Sequence, residues 1–265
     1  MSGADGENAT SAGTMSEGVK ACVEAFKNGK PCMVFDSAFR EGETDLLFPG
    51  IGTKPEWIRR LRKECGGLLF LAIGDEVGEM FGMPYLQDLF KEMEGSHAVL
   101  KALDTTDLQY DSRSAFTVSL NHRKTFTGIT DKDRALTTAR FAELTKELLD
   151  EKADQEACIK RLGEEFRTPG HIPVCRESPG GLKNRRGHTE LAVSIARLAG
   201  LAPVTIGAEM LAPEGDLALP VEEARAYAKK HGIPMVEGYE LLEAHGFAKE
   251  ASTEEPDAKK AKTDE

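Results

Sequence analysis

Residues 171–209 read HIPVCRESPGGLKNRRGHTELAVSIARLAGLAPVTIGAE, and the predicted fold is organised around this stretch. A Gly-rich and basic run at 179–187 leads directly into an apolar repeat of 3.6 residues, carried by Leu191, Ile195 and Leu198. This pattern predicts a helix capped by Thr189 and ended by Gly200. A strand is expected over 203–210, and it delivers Glu209 near its end.

The start of this helix is a candidate anion site. The first N–H groups of a helix lack internal partners and lie at the positive end of its dipole, so they favour a phosphate or carboxylate. Arg185, Arg186 and the Thr189 hydroxyl could add charge-assisted hydrogen bonds there. His188, at the same place, is a possible metal ligand. The simpler alternative is that Thr189 only caps the helix while the arginines and His188 are solvated.

A second polar cluster lies near the amino end of the chain. The apolar residues 32–35 predict a short strand, and 46–48 resume the strand pattern. The ten residues between them include five ionisable side chains, which are costly to place beside a core unless they bind a ligand. A solvated hairpin loop is the alternative. These five side chains are Asp36, Arg40, Glu41, Glu43 and Asp45.

The remaining chain alternates helix and strand patterns, which predicts an α/β (α+β) fold with one domain and a mixed β-sheet flanked by helices. The domain is expected over 16–247, with disordered segments at 1–15 and 248–265. Residues 116–120 are expected to form a strand, 94–114 a long surface excursion and 167–170 the turn after a helix. The helix that starts near 131 should bury Leu136, Ala139, Phe141, Leu144 and Leu148.

Composition and charge narrow the class of function. With 34 basic and 45 acidic residues, the net charge of −11 disfavours nucleic acid and an anionic membrane surface as partners. The five cysteines are widely spaced without a C-x-x-C pair, so they read as reduced thiols of a cytoplasmic protein. The first residues lack the pattern of a secretory signal, and the apolar run at 68–73 is too short to span a membrane.

The acidic loop, His188 and the two arginines together suggest a reaction type. Carboxylates with one imidazole suit Mg²⁺ or Mn²⁺ better than zinc. Such an ion beside an anion pocket can polarise a carbonyl and stabilise an enediolate while a carboxylate or histidine moves the proton. A small phosphorylated sugar fits both halves of this site.

Three segments, taken in order, resemble the 3,4-dihydroxy-2-butanone 4-phosphate synthases of riboflavin biosynthesis, in their archaeal-like monofunctional form. They are REGETD at 40–45, FTVS at 116–119 with TGIT at 127–130, and RRGHTE at 185–190. The resemblance extends over 16–247. It implies a lyase that converts D-ribulose 5-phosphate to L-3,4-dihydroxy-2-butanone 4-phosphate and formate by enolisation, dehydration, skeletal rearrangement and loss of C4.

The resemblance also implies roles for individual residues. Glu41 and His188 would hold the metal, Mg²⁺ or Mn²⁺, with two ions per site in a homodimer whose sites lie near the subunit interface. The implied substrate-binding residues are Arg40, Glu41, Asp45, Thr127, Arg185 and Thr189. The implied catalytic residues are Glu43, Asp45, His171 and Glu209.

One departure and two alternatives accompany this interpretation. Phe70 stands where the family commonly has cysteine, so a thiol at that position cannot be essential here. A Mg²⁺-dependent isomerase or aldolase would consume a sugar phosphate without releasing formate. A binding module on a related nucleotide- or RNA-binding scaffold would have no turnover, and the negative charge disfavours RNA.

Overall fold

A computed structural model describes residues 13–105 and 107–247 of the chain. The helices are α1 (Glu17–Lys27), α2 (Pro55–Arg60), α3 (Asp75–Met80), α4 (Leu86–Met93), α5 (Ala98–Ala102), α6 (Asp131–Glu151), α7 (Gln155–Glu165), α8 (His188–Leu198), α9 (Val221–His231) and α10 (Gly238–Ala244). The strands are β1 (Cys32–Phe35), β2 (Thr44–Pro49), β3 (Phe70–Ile73), β4 (Leu120–His122), β5 (Phe166–Ile172), β6 (Val174–Arg176), β7 (Val204–Glu209) and β8 (Met235–Glu237).

Six strands form one mixed sheet in the order β6-β3-β7-β2-β1-β8. The two outer pairs, β3 with β6 and β1 with β8, are parallel, and the three inner pairs are antiparallel. The predicted mixed sheet is therefore confirmed. Strands β4 and β5 form a separate two-stranded sheet.

Hydrophobic cores lie on both faces of the six-stranded sheet. One core joins alternate strand residues such as Met33 and Leu46 to α2, α6 and α9. The other joins Val34 and Leu47, which point to the opposite face, to α1, α8 and α10. This alternation explains why the short strands are buried throughout. Helices cover the sheet on both sides, and α8 brings its first residue to the edge of the acidic loop.

Strand β2 begins earlier than predicted. Thr44 and Asp45 belong to it, and both are fully buried. Because β2 lies between β1 and β7, its backbone groups pair on both sides, and this pairing extends the strand to Thr44. Asp45 is therefore a sheet residue and not a loop residue.

Four local predictions were wrong. The cap of α8 is Gly187, and Thr189 lies inside the first turn. Residues 167–170 belong to β5, in which Arg167 pairs with Asn121 and the next residues form an irregularity before Ile172 pairs with Leu120. The strand predicted over 116–120 is reduced to β4, which starts only at Leu120. Leu136 is exposed, since α6 turns Ala135 and Phe141 to the core instead.

The predicted disordered segments at 1–15 and 248–265 lie outside the described residues, apart from 13–15. Within that short exception, Met15 packs against the second core. All five cysteines are buried and free. None of the described helices is both long and apolar enough to cross a membrane.

Candidate active site

The acidic loop between β1 and β2 is organised by the side chain of Asp36. Its Oδ2 accepts a hydrogen bond from the Glu41 N–H, and its Oδ1 accepts one from the Glu43 N–H, both at 3.0 Å. Gly42, between them, has φ of 71°, in the left-handed region that glycine enters without strain. The loop therefore holds the Glu41 carboxylate in a defined place beside α8.

His188 joins this loop to the start of α8. Its Nδ1 lies 3.1 Å from Glu41 Oε2, and its Nε2 lies 3.6 Å from Asp45 Oδ1. His188 is the first residue of α8, whereas the predicted cap at Thr189 had placed it just before the helix. Two segments about 145 residues apart thus meet at one imidazole.

The neighbouring charges decide the ionisation of this group of side chains. The hydrogen bond from His188 lowers the pKa of Glu41 to about 2, although burial opposes the shift. Burial would lower the pKa of His188, but Asp45, Glu41 and Asp36 raise it to about 10. Both shifts favour an imidazolium ion paired with the Glu41 carboxylate when no cation is bound.

These residues fit a divalent cation. Asp36, Glu41 and His188 each offer one ligand atom, and these atoms lie within 4.8 Å of one another. Both carboxyl oxygens of Asp45 are buried with no hydrogen-bond partner among the described residues. Orphaned buried oxygens beside an oxygen-and-imidazole donor set favour a hard ion such as Mg²⁺.

Glu209 lies opposite Asp45 on the adjacent strand β7. Burial raises the pKa of Asp45 to about 8, and the nearby Glu209 and Glu43 carboxylates add to the shift. Burial also raises the pKa of Glu209 and of Glu43. Neighbouring carboxyl groups whose pKa values are raised by burial are candidates for accepting and returning protons in catalysis.

The basic side of the site is formed by Arg40 and Arg185. Arg185 Nη1 donates to the buried Glu190 at 2.5 Å, and its Nη2 donates to Asp111 at 2.7 Å. Arg40 Nη2 donates to the same oxygen of Asp111 at 3.0 Å. Two guanidinium groups from distant segments are therefore held beside the acidic cluster.

A cavity of about 270 Å³ lies where these groups meet. Five residues predicted for the site line it: Glu41, Arg185, His188, Thr189 and Glu209. Phe70 and Cys175 also line the cavity. Burial raises the pKa of the Cys175 thiol to about 12, so this thiol is neutral and does not replace the missing cysteine at position 70 as a thiolate.

Two residues predicted for the site, His171 and Thr127, lie away from the cavity in the folded chain. His171 is exposed on β5, where its N–H donates to Asn121 Oδ1 at 2.8 Å and its ring contacts the Asn121 amide. Thr127 lies in a loop whose N–H groups donate to Asp133. Neither is among the described residues that line the cavity. Arg40, Glu43 and Asp45 do not line it either, but they lie next to residues that do.

Sequence reasoning did not assign a site role to Asp36 or Asp111. The signal for Asp36 was present, because a carboxylate directly after a buried strand can organise the loop that follows. Asp111 had no such signal, since it lies in a segment without periodicity and its partners are 71 and 74 residues away.

The profile of the 3,4-dihydroxy-2-butanone 4-phosphate synthase family matches residues 20–244. The synthase of Archaeoglobus fulgidus is 39% identical over 223 residues, which cover 83% of this chain and 91% of the relative. That of Methanothermobacter thermautotrophicus is 37% identical over 227 residues, covering 86% of this chain and 95% of the relative.

Solved structures agree with these matches. A synthase structure from Candida albicans has a TM-score of 0.64 at 28% identity, covering 87% of this chain and 98% of that one. A synthase described as in complex with two magnesium ions also has a TM-score of 0.64, at 26% identity, covering 84% of this chain and 94% of that one. With the profile match and the archaeal relatives, the conclusion is that this chain belongs to the 3,4-dihydroxy-2-butanone 4-phosphate synthase family, whose members convert ribulose 5-phosphate to that product and formate in riboflavin biosynthesis.

Proposed function

We propose that this chain converts D-ribulose 5-phosphate to L-3,4-dihydroxy-2-butanone 4-phosphate and formate in the cavity lined by Glu41, His188 and Glu209. The observation that carries the proposal is the meeting of three elements in this cavity. They are the Glu41–His188 contact at 3.1 Å, the carboxyl group of Glu209, which lies opposite the buried Asp45 on the adjacent strand, and the guanidinium group of Arg185.

Glu41 and His188 would hold a divalent cation, Mg²⁺ or Mn²⁺, with Asp36 as a further candidate ligand. Bound there, the cation would polarise the ketose carbonyl and stabilise negative charge on the substrate oxygens. The proposed site holds two ions, because a related synthase is described as in complex with two magnesium ions. His188 must lose its proton to act as a ligand.

The substrate phosphate is assigned to Arg40, Arg185 and Thr189, at the amino end of α8. Arginine gives charge-assisted, geometrically specific hydrogen bonds to phosphate, and the helix start adds N–H groups. The phosphate would thereby orient the sugar so that its carbonyl end lies toward Glu41 and His188. Glu41 and Asp45 would contact the sugar oxygens.

The proposed proton transfers use the carboxyl groups at the ends of β2 and β7. Enolisation requires a base for the C3 proton, which we assign to Glu209. Loss of the C1 hydroxyl requires an acid, and Asp45, with a pKa of about 8, holds a proton at neutral pH. Glu43, whose pKa burial also raises, is a neighbouring carboxyl group for the later transfers.

We further propose a homodimer in which a second copy supplies His171 and Thr127 to the cavity. Both residues lie outside the cavity of their own chain, on one two-stranded sheet and the loop beside it. Two exposed apolar side chains flank Thr127: Phe126 is 93% exposed and Ile129 is 51% exposed. Both side chains could be buried against a second copy, which would remove their apolar surface from water. The free buried thiols accord with a cytoplasmic location.

Formate release from D-ribulose 5-phosphate with Mg²⁺ tests the proposed function. Formate should appear in the presence of Mg²⁺ and should disappear when a chelator is added. Glu41→Ala and His188→Ala should lose most turnover, whereas the exposed control variants Glu92→Ala and His97→Ala should keep it.

The other outcomes of this assay would each overturn a different part of the proposal. Full formate release in the chelator-treated protein would overturn the metal assignment. Consumption of the ketose without formate would indicate an isomerase or aldolase. Binding without consumption would indicate a binding module.

A further inference from the structure

Asp111 lies between the two arginines assigned to the substrate phosphate. A single oxygen, Asp111 Oδ2, accepts hydrogen bonds from Arg40 Nη2 at 3.0 Å and from Arg185 Nη2 at 2.7 Å. A carboxylate oxygen that bridges two guanidinium groups makes the same contacts that a phosphate oxygen would make. Because two anions cannot share these donors at close range, Asp111 and a phosphate on both arginines exclude each other.

Each arginine also has another carboxylate partner through a different nitrogen. Arg185 Nη1 donates to Glu190 at 2.5 Å, and the Glu190 side chain is completely buried. Arg40 Nη1 donates to Glu41 at 2.6 Å. If Asp111 leaves, both arginines therefore keep one anchor, and their Nη2 groups become available to a ligand.

The chain around Asp111 is weakly attached to the rest of the fold. The described residues 101–105 and 107–110 are all exposed. Beyond Asp111, the segment is held by Arg113, whose Nη1 donates to Asp88 at 2.9 Å, by the Ser114 N–H, which donates to Gln87, and by the Phe116 carbonyl, which accepts from Leu86. Before Asp111, the Tyr110 ring lies near the Arg40 guanidinium, 5.9 Å from the ring centroid. A segment with few buried contacts opens at low free-energy cost. Asp111 can therefore leave the arginines without disturbing the core.

We propose that Asp111 is an internal competitor for the substrate phosphate. It occupies the anion site of the free enzyme, and the phosphate displaces it from Arg40 and Arg185. Displacing Asp111 from the arginines costs part of the binding free energy of any ligand that takes its place. A phosphate dianion replaces the lost contacts with its own charge-assisted hydrogen bonds to the two guanidinium groups, whereas a neutral sugar cannot replace the carboxylate. Asp111 is then a specificity-determining residue. This inference rests on the proposed phosphate role of Arg185.

Binding of inorganic phosphate, measured by calorimetry at constant ionic strength, tests the competition. Asp111→Asn keeps the shape of the side chain and removes its charge, so it should bind phosphate roughly tenfold more tightly than the original chain. Asp107→Asn is the matched control. It removes the same charge from an exposed position four residues earlier, and its affinity should stay close to the original value.

Arg185→Ala separates failure of this inference from failure of the proposed phosphate site. Unchanged phosphate affinity in Arg185→Ala would overturn the phosphate site and the competition together. If Arg185→Ala weakens binding but Asp111→Asn binds phosphate equally or more weakly, only the competition is overturned. Weaker binding in Asp111→Asn would mean that Asp111 orients the arginines for the phosphate.

Discussion

Asp45 and Glu209 are directly opposed residues of the antiparallel pair formed by β2 and β7. Opposed side chains of such a pair lie on the same face of the sheet and interact, and like charges there are destabilising. Accordingly, burial and the facing carboxylates raise the pKa of Asp45 to about 8. A pair of carboxyl groups that holds a proton at neutral pH is suited to enolisation, so we interpret this destabilising arrangement as catalytic.

Replacing Glu209 should separate binding from proton transfer. Glu209→Gln keeps the size of the side chain but cannot accept a proton, so formate release should fall by about two orders of magnitude or more while phosphate affinity is kept. Exchange of the substrate C3 proton with deuterated solvent should fall in parallel. The exposed Glu214→Gln is the control.

Two results would contradict this assignment. Formate release at the original rate by Glu209→Gln would remove Glu209 from the mechanism. Lost release with retained proton exchange would move its role to a later step and leave His171 or Asp45 as the first base.

Metal affinity should depend on pH through His188. Its pKa is raised to about 10, so at lower pH a metal ion must displace a proton from the imidazole. A lower pH therefore favours the protonated imidazole over the metal complex. At pH values below the pKa of His188, Mg²⁺ affinity should increase by up to about tenfold for each unit by which the pH rises. Calorimetry without substrate, repeated in buffers of different ionisation enthalpy, would measure the affinity and the proton release. An affinity that is independent of pH would exclude His188 as a ligand.

The close approach of Gly67 to Glu209 predicts a stability effect. A Cβ atom at Gly67 would lie 2.5 Å from both the carbonyl oxygen and Oε2 of Glu209. Gly67→Ala should therefore destabilise the fold by about 1 to 3 kcal/mol and displace the carboxyl group, which lowers formate release. Gly163→Ala is the matched control, because nothing lies within 4 Å of its Cβ position in α7. Urea unfolding measures the free energy of unfolding of both variants, and equal stability of the two would contradict the packing argument.

The proposed sharing of His171 between two copies can be tested by subunit mixing. His171→Ala and His188→Ala should each be inactive alone. If His171 acts in the cavity of the other copy, a mixed dimer contains one intact site, so unfolding and refolding an equal mixture should restore about a quarter of the original activity. Light scattering would establish the dimer independently. A mixture that stays inactive, although mixed dimers form, would place His171 in the site of its own chain.

Local sequence patterns determined the parts of this protein that depend on neighbouring residues. The apolar repeat of α8 and the run of glycine and arginine before it predicted a helix that begins next to His188, because a helix periodicity is contained in a few turns. The exact cap was beyond this pattern. The density of charge at 36–45 identified the acidic loop, since buried charge requires a partner. The resemblance of the three motifs to one enzyme family then indicated which reaction these side chains carry out together.

Tertiary structure alone decided which distant groups meet. The facing of Asp45 and Glu209 depends on the register between β2 and β7, and a shift of one residue would turn one of them to the other face. The contact of Asp111 with Arg40 and Arg185 depends on how a segment without periodicity returns to the sheet. Periodicity in sequence records the face of a single element, whereas register and loop return are set by packing across the whole chain. The raised pKa values arise from that packing, because burial and neighbouring charge are properties of the assembled fold.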